Sequence, residues 1–192
     1  MEYKRLGEIA MIKFCSITPS RSKLQDKPTK WLACSSFLLD NEVEYLPVEN
    51  NVTPDKDWRL SQHDIVVKRI TPSFVNYIDF VPDSIYCGNN LIIVTPNKAA
   101  DSKYLAMILN NKIRELSQES SIGAVMKSVS RKDIESLVIP MPDTNKRRLI
   151  GELWYKGIDL KKKRIKLAEL ENIQTNYLIQ KTIKVSGGRS DG

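Results

Sequence analysis

From Thr144 to Ile183 the chain contains no proline and two glycines, Gly151 and Gly157. Nothing over that stretch forces an α-helix to stop, and Asp143 or Thr144 supplies a cap at its start. Leu153, Leu160 and Leu167 recur every seventh residue, as do Ile158 and Ile165, while Leu170, Ile173, Tyr177 and Leu178 extend the apolar stripe. At about 1.5 Å per residue such a helix approaches roughly 60 Å, much longer than a helix that covers a small sheet. One stripe on so long a helix calls for a partner. Coiled-coil dimerisation through Leu153, Leu160, Leu167, Leu170 and Tyr177 is therefore the expectation. Gly157, Arg164 and Gln174 fall at or near the seam, so a helix folded back over its own domain stays open as the alternative.

The remainder of the 192 residues is enough for one ordinary domain. Its first 95 residues read as strand-rich. Apolar runs at Ile9–Phe14, Trp31–Cys34, Val43–Leu46, Asp64–Ile70, Phe74–Val81 and Leu91–Val94 are separated by Pro, Asn, Asp and Ser. Thr71-Pro72-Ser73 supplies turn chemistry between two of these runs and predicts a β-hairpin, with Phe74, Ile78 and Phe80 sharing a face. Asp101-Ser102 reads as a cap for a helix carrying Leu105, Ile108, Leu109 and Ile113. Ser130 reads as the cap of a short helix over Arg131–Glu135, and LVIPMP as a buried strand closed by two prolines. The fold class is thus α+β: a strand-rich domain over 1–143 with a few short helices, one long C-terminal coiled-coil helix over 144–184, and a disordered tail over 185–192.

The net charge of +7 has a location. Residues 1–144 carry 18 basic and 18 acidic side chains, whereas 145–184 carry 11 basic and 4 acidic ones. A balanced body with a basic C-terminal segment suits a nucleic-acid partner or an acidic protein surface; a solvated helix face accounts for the same charge.

Several classes are disfavoured. No run of about 18 apolar residues spans a membrane, and MEYKRLGEIAMIKF is too short and too charged for a secretory signal. Three scattered cysteines (Cys15, Cys34, Cys87) suit reduced thiols in a cytoplasm. One histidine, His63, and no close cysteine pair leave little for a structural zinc site or a hydrolase triad; His63 reads as a surface residue before a strand. There is no glycine-rich phosphate loop and no amino-methyltransferase motif. Pro82-Asp83 followed by Asp101-Ser102-Lys103 has the spelling of a metal-dependent endonuclease, whose chemistry needs two carboxylates and a lysine around magnesium. Helix capping by Asp101 and Ser102 explains the same residues.

Four segments carry a resemblance. RLGEIAMIKFCSITPS is similar to the opening of recognition domains in type I restriction–modification DNA specificity subunits. LSQHDIVVKRITPS resembles the family's Leu-x-x-Gly-Asp-Ile-Leu-Val segment, with His63 in place of the glycine. CGNNLIIVTPNKAADSKYLAMILNN resembles its strand-then-helix stretch. GAVMKSVSRKDIESLVIPMPDTNKRRLIGEL is similar to its closing signature, although Asn145-Lys146-Arg147 stands where Glu-Gln is common. Together they cover most of residues 3–182 in the family's order. Members usually carry two recognition domains and two long helices; this chain has one of each.

The resemblance implies a non-catalytic DNA-binding subunit, and two copies pairing through antiparallel helices to read a palindromic split site. A fragment of a full subunit is the other explanation. It also implies a partner methyltransferase subunit that uses S-adenosylmethionine and a restriction/translocase subunit that uses ATP and magnesium, so that no cofactor belongs to this chain. Contacts to double-stranded DNA are expected from loops between strands: Ser20, Arg21 and Lys23; Lys68, Arg69, Thr71 and Ser73; and Lys127, Ser128, Ser130 and Arg131. The run Lys161-Lys162-Lys163-Arg164 with Lys166 suits DNA phosphates or an acidic partner face. A coiled-coil adaptor that binds no DNA is the remaining competitor.

Overall fold

A computed structural model describes residues 2–16, 28–50, 58–70, 72–119 and 129–187. The chain forms two compact units, Met1–Tyr155 and Lys156–Gly192. In the first lie strands β1 (Glu2–Arg5), β2 (Ala10–Phe14), β3 (Thr29–Leu32), β4 (Phe37–Leu38), β5 (Glu42–Val43) and β6 (Val48–Asn50). They are followed by β7 (Ile65–Lys68), β8 (Phe74–Tyr77), β9 (Ile85–Cys87), β10 (Leu91–Pro96) and β11 (Val138–Met141). The helices are α1 (Leu6–Ile9), α2 (Ser102–Glu119), α3 (Arg131–Glu135) and the long α4 (Thr144–Gly187). This is the α+β class expected, with the long helix beginning at Thr144 and Asp143 capping it through Oδ1, 3.0 Å from the Lys146 amide nitrogen.

The central sheet runs β2-β10-β7-β8, antiparallel throughout. Its register places Phe14, Ile92, Val67 and Val75 in one cross-sheet row, and Ile12, Val94, Ile65 and Tyr77 in another. Both rows face a core completed by Tyr104, Leu105, Leu109 and Ile113 of α2. The alternate rows put Val66, Phe74, Leu91 and Ile93 into a second core with Leu32, Phe37, Ile85 and Cys87. With both faces covered, these strands read as unbroken apolar runs instead of alternating ones.

The predicted hairpin is β7–β8, paired Ile65 to Tyr77 through Lys68 to Phe74. Phe74 and Ile78 share the second core, but Phe80 does not join them: it lies beyond the strand and is 62% exposed. The LVIPMP strand is also less buried than expected. It forms β11, whose Ile139 is buried and whose Val138 is exposed, and it pairs with β1 alone in a two-stranded ribbon. A parallel β3–β9 pair with β6 on its other edge makes a further small sheet.

Asp101 does not cap α2. Residues Ala99–Asp101 close a 3-10 turn before the helix begins at Ser102, which buries Asp101 against Arg147 at 2.8 Å. The Ser102 hydroxyl is buried with no hydrogen-bond partner. The opening turns of α4 belong to the first unit, with Ile150, Trp154 and Tyr155 packed against the core beside α2. A Cβ on Gly151 would stand 2.7 Å from the Tyr104 nitrogen and 3.0 Å from the Lys103 Cβ, so glycine permits this helix to seat. Residues 188–192 of the expected tail lie outside the described residues.

The two glycines of α4 should therefore answer oppositely to alanine. Gly151→Ala is expected to lower unfolding free energy by about 1–3 kcal/mol through overpacking. Gly157→Ala, with nothing within 4 Å of its added Cβ, should raise it by up to about 1 kcal/mol. Urea denaturation of both variants checks this, and a loss at Gly157 matching that at Gly151 would sink the close-approach account.

Candidate nucleic-acid interface

Antiparallel pairing brings Phe14 at the end of β2, Leu91 at the start of β10, Lys68 at the end of β7 and Phe74 at the start of β8 to one end of the central sheet. A fifth segment joins them. The Arg69 carbonyl accepts from Val129 N at 3.4 Å, and Arg69 Nε donates to Val129 O at 3.0 Å. Arg69 N also donates to Asn90 O at 3.0 Å, which fixes its backbone to the turn before β10.

Three cations lie at that end of the sheet, Lys68 beside Phe74 and the two arginines beside Phe14. Lys68 Nζ lies 4.9 Å from the Phe74 ring centre. The Arg69 guanidinium lies 5.3 Å, and that of Arg131 4.9 Å, from the centre of the Phe14 ring. Arg131 is the first residue of α3, and Ser130 caps that helix as expected. Its Oγ accepts from Asp133 N at 3.2 Å, while its own N donates to an Asp133 carboxylate oxygen at 3.0 Å. These Ser130 hydrogen bonds, side chain first and backbone second, hold the Asp133 carboxyl below its ordinary range.

Of the residues expected to contact DNA, the structure brings together Lys68, Arg69 and Arg131. Ser20, Arg21, Lys23, Thr71, Lys127 and Ser128 lie outside the described residues. Ser73 departs from expectation: it is 6% exposed, and its hydroxyl donates to the Arg69 carbonyl at 3.1 Å. It shapes the turn that carries Arg69 and offers little surface of its own. Sequence reasoning passed over Phe14, whose signal was an aromatic residue ending a strand just before the Ser- and Thr-containing loop.

His63 is half-buried, not a simple surface residue. Its φ of 73° lies in the left-handed region, where the glycine of the resembled segment carries no steric cost. Its Nδ1 shares a 2.8 Å hydrogen bond with the Tyr77 hydroxyl, and the two rings stack. The neighbouring Asp64 is buried, and that burial pushes its carboxyl above the ordinary range, against the opposing hydrogen bonds from Thr95 and Ser61.

The three residues of the nuclease-like pattern go to three partners. Asp83 pairs with Lys30 at 2.7 Å on the surface, Asp101 with Arg147 in the interior, and Lys103 with Glu152 at 2.6 Å. Among the described residues, no group of three or more His, Cys, Asp and Glu is placed to hold a metal ion. None of the described helices is long and apolar enough to cross a membrane.

Along α4 the expected dimerisation residues are uncovered: Leu153 is 63% exposed, and Leu160, Leu167, Leu170 and Tyr177 are each at least half exposed. Of the basic run on that helix, Lys163 pairs with Asp159 at 2.7 Å and Lys166 with Glu169 at 3.5 Å.

The first unit is thus a strand-rich domain with a cationic sheet end, and the chain runs on into one long helix with an apolar stripe. The chain belongs to the type I restriction modification DNA specificity domain family, whose match covers residues 1–172. Solved structures share its fold. One comes from work on complex assembly and conformational transition of the type I R-M system (TM-score 0.71, 19% identity, covering 100% of this chain and 46% of that one). Another is the HsdS subunit of Thermoanaerobacter tengcongensis (TM-score 0.59, 17% identity, 87% and 39%). A third is the S subunit of the type I restriction–modification system of M. genitalium (TM-score 0.56, 15% identity, 91% and 44%). The chain spans less than half the length of each of these three. No curated protein matches the sequence.

The α3 cap gives a pH-dependent expectation. Because the folded-state value of Asp133 is lowered, its contribution is present above the unfolded carboxylate range and is lost as pH falls through the folded value. Asp133→Ala should cost about 0.5–1 kcal/mol at neutral pH. The gap to wild type should close below about pH 4, read by urea denaturation at both pH values; a gap that widens on acidification would show that the cap is not the cause.

Proposed function

We propose that this chain is the DNA-reading half of a type I restriction–modification specificity subunit, working in the cytoplasm. The observation that carries the reading is the family match across 1–172, on a chain whose single long helix keeps its leucine stripe exposed. A second copy, through antiparallel α4 helices, is the partner that covers this stripe most economically. The pair then reads a palindromic split sequence, because the symmetry of the DNA must mirror that of the protein. Two copies, or one copy with the remainder of a longer chain, supply what the solved relatives carry beyond this length.

In this reading each domain positions itself by phosphate contacts and reads bases with its loops, while α4 sets the distance between half-sites. Lys68, Arg69 and Arg131 are the described residues that face the duplex, with Arg21, Lys23, Thr71, Lys127 and Ser128 on the adjoining segments. Methylation belongs to a partner methyltransferase subunit with S-adenosylmethionine, and cleavage to a restriction/translocase subunit with ATP and magnesium. The chain itself addresses and does not catalyse.

Light scattering on the purified chain is expected to give twice the 22.0 kDa protomer mass. Selection from random duplexes should then return a split palindrome. A strict monomer would remove the self-pairing, and magnesium-dependent cleavage by the chain alone would overturn the non-catalytic role. Arg69→Ala should weaken binding to the selected duplex by about tenfold or more at moderate salt; unchanged affinity would take Arg69 out of the interface.

A further inference from the structure

We infer that Phe14 is a positioning residue: its ring orders the guanidinium groups of Arg69 and Arg131 into a two-pronged clamp for one phosphodiester of the DNA backbone. This rests on the DNA-reading role proposed above and adds to it a residue that neither the sequence pattern nor the family match assigns.

The argument begins with register. Phe14 ends β2 opposite Ile92, in the same row as Val67 and Val75, so its ring leans on the core while its outer part stays at the sheet end. Arg69 leaves β7 at that end, and Arg131 opens α3 beside it. Residues 62 positions apart therefore place their cationic groups 5.3 and 4.9 Å from one ring centre. That geometry keeps the two charges within about 10 Å of each other, no more than a Debye length at 0.1 M salt. Like charges so placed repel.

Glu135 stands 3.7 Å from Arg131 Nε, with both side chains around half exposed, so screening leaves the pair weak. Arg69 Nε is engaged by the Val129 carbonyl, which fixes the plane of its guanidinium. An aromatic face attracts each cation and holds its planar fork in place, lowering the entropy lost when an anion is bound. Two such forks on one ring suit a phosphate, whose oxygens accept from both.

The test measures the full chain binding to its selected duplex and to a scrambled duplex, as a function of salt. Phe14→Leu keeps the apolar bulk and removes the ring; Phe14→Tyr keeps the ring. Phe14→Leu should weaken binding to both duplexes by about three- to tenfold, since exposed cation–π contacts are small individually. The slope of log affinity against log salt should flatten by about 1 to 2, the equivalent of one or two phosphate contacts. Phe14→Tyr should match wild type. In an Arg69→Ala/Arg131→Ala background, Phe14→Leu should have no further effect, because the ring acts through those side chains.

Equal losses for Leu and Tyr, or a Leu effect that persists without the arginines, overturn the clamp in favour of a packing role. A changed preference between the two duplexes with an unaltered salt slope overturns it too, because the arginines would then read bases. Failure of the wild type to bind any duplex takes down the DNA-reading role and the clamp together. Wild-type binding that Phe14→Leu leaves intact removes the clamp alone.

Discussion

Arg147 and Asp101 meet with their side chains 9% and 8% exposed, and so dry an ion pair is stable only when the remaining donors of the guanidinium are also engaged. They are: besides Asp101, Arg147 donates to the Pro142 carbonyl and, at 3.1 Å, to the Thr144 hydroxyl. The three acceptors come from the turn before α2, the residue after β11 and the first residue of α4. Removing either charge would leave the other buried and uncompensated, at a cost of about 3–5 kcal/mol. Gly151 against Tyr104, Lys103 with Glu152, and the Tyr155 hydroxyl on Asp79 extend the same seam along α2 and the loop after β8. Through these contacts the opening turns of α4 are part of the first unit itself, not an appendage to it.

Which parts of this were legible in the sequence follows from where the determining contacts lie. The long helix, its start at Thr144, the Ser130 cap and the β7–β8 hairpin were readable because each depends on neighbours within a few positions. The ribbon of β1 and β11 was not, since Glu2 pairs with Met141 across nearly the whole domain and neither strand alternates clearly. The parallel β3–β9 pair was hidden for the same reason. Asp101 is the instructive miss. Capping chemistry and ion-pair chemistry use the same carboxylate, and its actual partner lies 46 positions away on α4.

The candidate surface was half legible. Basic residues in loops marked Lys68, Arg69 and Arg131, but Ser73 and Ser130 show that turn-forming residues are often engaged by the turn they make. Phe14 was hidden because its ring completes a core row, and only the register discloses that its outer part meets two cations. His63, read from sequence as a surface residue before a strand, stands where the resembled segment has glycine, and its φ of 73° with the Tyr77 hydrogen bond shows how a non-glycine occupies that backbone conformation.

Charge counting would have placed the DNA contacts on the helix, since residues 1–144 sum to zero. The structure separates count from potential. Three acidic residues of the domain are engaged locally: Asp83 on Lys30, Asp101 on Arg147, and Asp133 on its own helix cap. Lys68, Arg69 and Arg131 lie at one sheet end beside aromatic rings, Arg131 also with Glu135 3.7 Å from its Nε. On α4, Arg147 is buried, and Lys163 and Lys166 have carboxylates within reach. A polyanion responds to local potential, not to the total. The neutral half of the sequence can therefore hold the sharper positive site, and the basic half can owe part of its charge to the stability of its own helix.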